Sequence, residues 1–106
     1  MNDILTKLNS VLKDRKNKDP KESYVASLYK KGLDHTCNKI EEEANELVNA
    51  LENENKERVI SEAADLWFHS LVALSMKNLS SDDILNELDK RFGISVHEEK
   101  NNRNAQ

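Results

Sequence analysis

The chain has 106 residues, 34% of them charged and 37% hydrophobic, with a formal net charge of −4. That length fits one domain, and the acidic balance excludes the basic stripe on which nucleic-acid backbone binding depends. Two glycines and one proline argue against a turn-rich β fold, while the wealth of Lys, Glu, Leu, Asn and Ala suits helices. A single cysteine, Cys37, makes no internal disulfide. The N-terminus has no signal-peptide h-region, and no apolar run approaches the ~20 residues that span a bilayer. The expectation is a soluble, cytoplasmic protein with neither nucleic acid nor membrane as partner.

Ile4, Leu5, Leu8, Val11 and Leu12 recur at helical spacing, so residues 3–13 are predicted as a first amphipathic helix. Asp14 to Glu22, which includes Pro20, reads as a loop. Ser23 is placed to cap a short helix carrying Tyr24, Val25, Leu28 and Tyr29, and Gly32 to end it. Asp34 is the candidate cap of a third helix with the stripe Cys37, Ile40, Ala44, Leu47, Val48 and Leu51. Residues 56–77 differ: Val59, Ile60, Ala63, Leu66, Trp67, Phe68, Leu71 and Val72 point nearly all round, the pattern of a buried central helix. Tyr24, Tyr29, Trp67 and Phe68 are expected in the core. Ser80 or Ser81 is to cap a last helix that stops at Gly93. These elements predict an all-α bundle of four to five helices over residues 1–96, with a polar, mobile tail over 97–106. Two flanking apolar stripes and the central helix expose more apolar face than one copy can hide, so a homodimer or higher homo-oligomer is expected.

The chemistry-bearing residues are acidic. Glu62 and Asp65, three apart, lie about 60° from each other around the central helix, and His69 falls between them in angle. Carboxylates on an otherwise apolar helix need a cation, a donor or a raised pKa, because burying them unpaired costs several kcal/mol. Glu42, Glu43 and Glu46 share roughly a 100° arc of the preceding helix; alone, they read as a solvated helix face. An antiparallel hairpin turning near residue 55 brings Glu46 and Glu62 to similar depth. Carboxylates converging there call for a hard divalent cation that keeps positions open for phosphate oxygens, for which Mg²⁺ fits. His69 reads as a satisfied or supporting histidine.

Glu42-Glu43-x-x-Glu46, fifteen residues, then Glu62-x-x-Asp65 resembles the signature of the all-α nucleoside triphosphate pyrophosphatases. Three further stretches narrow it: Ser23-Tyr24-Val25 through Lys31-Gly32, Lys39 to Glu46, and Glu62 to His69. With the ending Arg91 to Lys100, they resemble phosphoribosyl-ATP pyrophosphatase of histidine biosynthesis over nearly the whole chain. Departures are Glu41 for a usual glycine, Phe68 for a frequent tyrosine and Val96 for a small residue; none removes a carboxylate. The resemblance implies hydrolysis of a phosphorylated nucleotide, phosphoribosyl-ATP, to phosphoribosyl-AMP and pyrophosphate, in a stand-alone form. It implies Mg²⁺ on Glu42, Glu43, Glu46, Glu62 and Asp65. Glu43, set apart in angle from Glu42 and Glu46, is the candidate proton acceptor. Lys31 and Lys39 are candidate phosphate contacts by family position. Two other readings fit the carboxylates: a house-cleaning pyrophosphatase for nucleoside triphosphates or dUTP, and a non-catalytic helical interaction protein. The second predicts lysine partners for Glu62 and Asp65.

Overall fold

A computed structural model describes residues 3–93, and those residues form five helices with no strand among them. They are α1 (Ile4–Arg15), α2 (Tyr24–Lys31), α3 (Leu33–Asn53), α4 (Lys56–Met76) and α5 (Ser81–Phe92). The expected all-α architecture is therefore observed. The boundary at residue 96, the tail 97–106 and the motif residues Ile94 to Lys100 lie outside the described residues. No helix among the described residues is long and apolar enough to cross a membrane.

Most ends follow the chemistry of the residues placed there. The Ser23 hydroxyl accepts from the Ala26 amide at the start of α2. Gly32 closes α2 by donating its amide to the Leu28 carbonyl, at φ +97°, a backbone setting that side chains resist. The same Gly32, not Asp34, is also the N-cap of α3, so α2 and α3 meet at a single residue and Asp34 falls in the first turn. α1 runs two residues further than its apolar pattern, through Asp14 and Arg15. At α5 a full capping box forms: Ser80 Oγ accepts backbone donors, while the Ser80 amide donates to Asp83 Oδ2 at 2.9 Å. Ser80→Ala should lower stability by about 1 kcal/mol. Urea titration checks this as a reduced midpoint with an unchanged slope.

The long helices α3 and α4 are joined only by Glu54 and Asn55, a connection so short that they must run antiparallel. Asn55 caps α4 by accepting the Arg58 amide at 3.0 Å. The core lies at the other end of this hairpin, where Leu12 of α1 and Val25 and Leu28 of α2 close over Leu71 and Val72 of α4. Asn9 ties α1 to α5 by donating to Ser81 Oγ at 2.9 Å. The turn end of the hairpin projects beyond this core: Leu51 and Ile60, near the turn, are more than half exposed.

Two core expectations are corrected. α4 touches α1, α2 and α3, but it is not buried all round: Ile60 is 68% and Trp67 63% exposed. Tyr24 is half exposed. Phe68 and Tyr29 pack on the core as expected.

Candidate metal centre

The acidic residues line one side of the α3/α4 hairpin between its turn and the core. Glu46 and Glu62 meet as the two-residue connection dictates. Both line one cleft, and hydrogen bonding with Glu46, followed by burial and by the Glu46 charge, raises Glu62 above the ordinary carboxylate value. Glu46 thus disfavours the charged form of Glu62, an effect that a bound cation would offset. Arg58, one turn back on α4, places its guanidinium 3.5 Å from Glu62 and 3.2 Å from Glu54. Asn45, Asn49 and Glu54 complete a shallow cleft of about 410 Å³ with Glu46, Arg58 and Glu62.

Glu43 lies one turn nearer the core and is buried. Burial raises its pKa; His69 and Lys39 oppose that rise, and the Asp65 charge adds to it. The His69 Nδ1 stands 2.7 Å from Glu43 Oε1. The same nitrogen is aligned with the Asp65 carbonyl at 3.1 Å, so its approach to Oε1 is off the hydrogen-bond direction. Oε1 is left buried without an aligned donor. On the far side of the ring, the Tyr24 hydroxyl is 2.8 Å from Nε2.

Asp65 and Glu42 are exposed. The Asp65 charge acts on both Glu43 and Glu62, and Glu42 lies 3.9 Å from the half-buried Lys39. Lys39 thus joins the acidic side. Lys31, the exposed last residue of α2, pairs with no described carboxylate. Among the described residues, no three His, Cys, Asp or Glu side chains gather into a coordination shell. Instead Arg58 pairs with Glu54 and Glu62, and Lys39 lies beside Glu42.

The donor set still fits a hard cation. It is all carboxylate, it includes a buried oxygen with no aligned donor, and it includes two glutamates that line one cleft. The interaction-protein alternative predicted lysine partners for Glu62 and Asp65; Glu62 has an arginine of its own helix instead, and Asp65 has no lysine ion pair among the described residues. Sequence reasoning missed Arg58, whose signal was its place four residues before Glu62. It also missed the joint position of Tyr24 and His69, which no single helix pattern reveals.

Comparisons with known proteins give the family. The profile of the family described as phosphoribosyl-ATP pyrophosphohydrolase matches residues 5–92. A protein of Hydrogenovibrio crunogenus named phosphoribosyl-ATP pyrophosphatase is 54% identical, covering 96% of this chain and 94% of its own. Proteins of the same name from Ruthia magnifica and Methylococcus capsulatus are each 48% identical. The first covers 98% of this chain and 99% of its own, the second 95% and 96%. The chain belongs to the phosphoribosyl-ATP pyrophosphohydrolase family.

Proposed function

We propose that this protein hydrolyses phosphoribosyl-ATP to phosphoribosyl-AMP and pyrophosphate. This is the second step of histidine biosynthesis, carried out in the cytoplasm with Mg²⁺ as cofactor. The observation that carries the reading is the cleft that Glu46 and Glu62 line together, with the buried Glu43, whose Oε1 has no aligned donor, one turn away on α3. Family membership supplies the substrate.

Glu42, Glu43, Glu46, Glu62 and Asp65 would hold the metal, which when bound supplies positive charge against the phosphates and acidifies a nearby water. The protein's own work is positioning and proton handling. Cleavage between the α- and β-phosphates needs a water in line with the leaving pyrophosphate and a group to take its proton. Glu43 is suited to take that proton on a carboxylate oxygen, because burial raises its pKa toward the working pH. Lys39, beside Glu42, offers a cation to the phosphates, and Lys31 offers a second from the end of α2. Arg58 adds a guanidinium, and exchanging Glu62 for a phosphate oxygen as its partner would keep it neutralised throughout.

The substrate assay tests the whole reading. Purified protein with Mg²⁺ should release pyrophosphate from phosphoribosyl-ATP far faster than from dUTP or ATP. Equal rates would mark a broad house-cleaning enzyme, and no turnover would defeat the proposal. Asp65→Asn should reduce kcat on the order of 10²-fold while leaving the helical circular dichroism intact, since Asp65 is exposed.

The same reading includes a homodimer. Val48 and Leu51 on α3, with Ile60 and Trp67 on α4, are more than half exposed. At about 100° per residue they lie roughly 140–200° round their helices from Glu46 and Glu62. A second copy on this side covers apolar surface and leaves each acidic groove open.

A further inference from the structure

One imidazole joins three helices beside the acidic groove. Tyr24 is the first residue of α2, Glu43 is in the middle of α3, and His69 is on α4. His69 is only 5% exposed, and its ring is held by aromatic edges, with centroids 5.0 Å from Phe68 and 5.8 Å from Tyr24. Tyr24 and Phe68 stack on each other at 6.2 Å. The protonation pattern follows from the partners. The Asp65 carbonyl can only accept, so Nδ1 carries a hydrogen, and in the neutral ring Nε2 accepts from the Tyr24 hydroxyl. Tyr24 is half exposed, so a phenylalanine would cover the same surface; what the hydroxyl adds is a fixed orientation for the imidazole.

We propose that Tyr24 and His69 form a positioning pair that sets the rotamer of Glu43. Nδ1 stands 2.7 Å from Oε1 of Glu43 while its hydrogen is directed at the Asp65 carbonyl, so the imidazole, fixed by Asp65 and Tyr24, bounds by close packing the space open to the Glu43 carboxylate. A glutamate on a helix surface otherwise samples several rotamers, and only one of them serves the site. Holding a ligand carboxylate through a neighbour in this way is commonly worth 10- to 100-fold in metal affinity or rate. The inference rests on Glu43 being part of the metal and proton machinery of the proposed reaction.

The test compares two amides that divide the functions of the imidazole. In His69→Asn the amide nitrogen takes the place of Nδ1, whereas in His69→Gln it takes the place of Nε2. Two readouts are needed: kcat and KM for phosphoribosyl-ATP at saturating Mg²⁺, and Mn²⁺ affinity without substrate, by electron paramagnetic resonance. His69→Gln should lose about 10- to 100-fold in both kcat and Mn²⁺ affinity with little change in KM, and His69→Asn should recover most of it. Tyr24→Phe should fall between them. Equal behaviour of the Asn and Gln variants, or a kcat loss with Mn²⁺ affinity untouched, overturns the positioning pair. If a His69 variant does not fold, Tyr24→Phe decides alone: wild-type values in both readouts overturn the proposal. Glu62→Gln, measured alongside, separates the two readings. Its failure to bind Mn²⁺ while His69→Gln binds normally leaves the metal site standing without the pair. Normal Mn²⁺ binding by Glu62→Gln removes the metal site itself.

Discussion

Glu62→Gln is expected to lower kcat by about 10²–10³-fold and, at the same time, to raise the melting temperature of the metal-free protein at neutral pH. The two effects share one cause. In the folded chain Glu62 is raised above its ordinary value of 4.5, first by its hydrogen bond with Glu46, then by burial and the Glu46 charge. A carboxyl raised on folding stabilises the fold while it is protonated. That contribution is complete below the unfolded value and is lost as pH rises through the folded one. Metal-free wild type should therefore melt higher at pH 5 than at pH 7.5. The glutamine amide donates to Glu46 at every pH, so the variant should show a flatter profile and the larger gain at pH 7.5. The lost pairing with Arg58 weighs little, because that guanidinium is exposed and keeps Glu54. With Mg²⁺ the wild-type slope should reverse, since metal binding needs the deprotonated carboxylates. Differential scanning calorimetry in chelator and in Mg²⁺ reads all of this. A variant that melts lower than wild type at pH 7.5 in chelator would falsify the Glu46–Glu62 contact.

What the sequence makes legible is whatever depends on one helix or on a short connection. Caps at Ser23 and Ser80 and stops at Gly32 and Gly93 act within a few residues of their own position, so they can be read locally. That Glu46 and Glu62 line one cleft is legible too, because a two-residue connection leaves one register for two long antiparallel helices. The environment of Glu43 is not. Its burial depends on His69, and the His69 orientation depends on a tyrosine 45 residues away on a helix that docks separately. No periodicity carries that information. The apolar pattern of α4 misleads for a different reason: hydropathy marks surfaces that avoid water without saying whether the cover comes from the same chain. Trp67 and Ile60 look like core by composition and are exposed in a single copy.

That exposure leads to the second large effect. Wild type should sediment as a dimer at micromolar concentration, and Ile60→Glu should drive it to monomer. Ile60 is 68% exposed in the single chain, and full burial of such a side chain is worth about 1.5–3 kcal/mol. A two-fold symmetric interface counts each change twice, so the dimer should weaken by roughly 10²–10⁴-fold in Kd. Trp67→Glu, two turns further along the same face of α4, should act in the same direction. Circular dichroism of the monomerised variants should show α3 and α4 fraying at the turn end, because among the described residues the main apolar cluster lies at the Leu71–Val72 end of the hairpin. Metal binding should weaken with it, since Glu46 and Glu62 stand on the part that the second copy would brace. Ser80→Ala, on the opposite side of the molecule from the hairpin turn, serves as the control: it lowers stability without changing the sedimentation of the dimer. A wild-type monomer at micromolar concentration, with full Mn²⁺ affinity, would show that the projecting hairpin holds its register without a second copy.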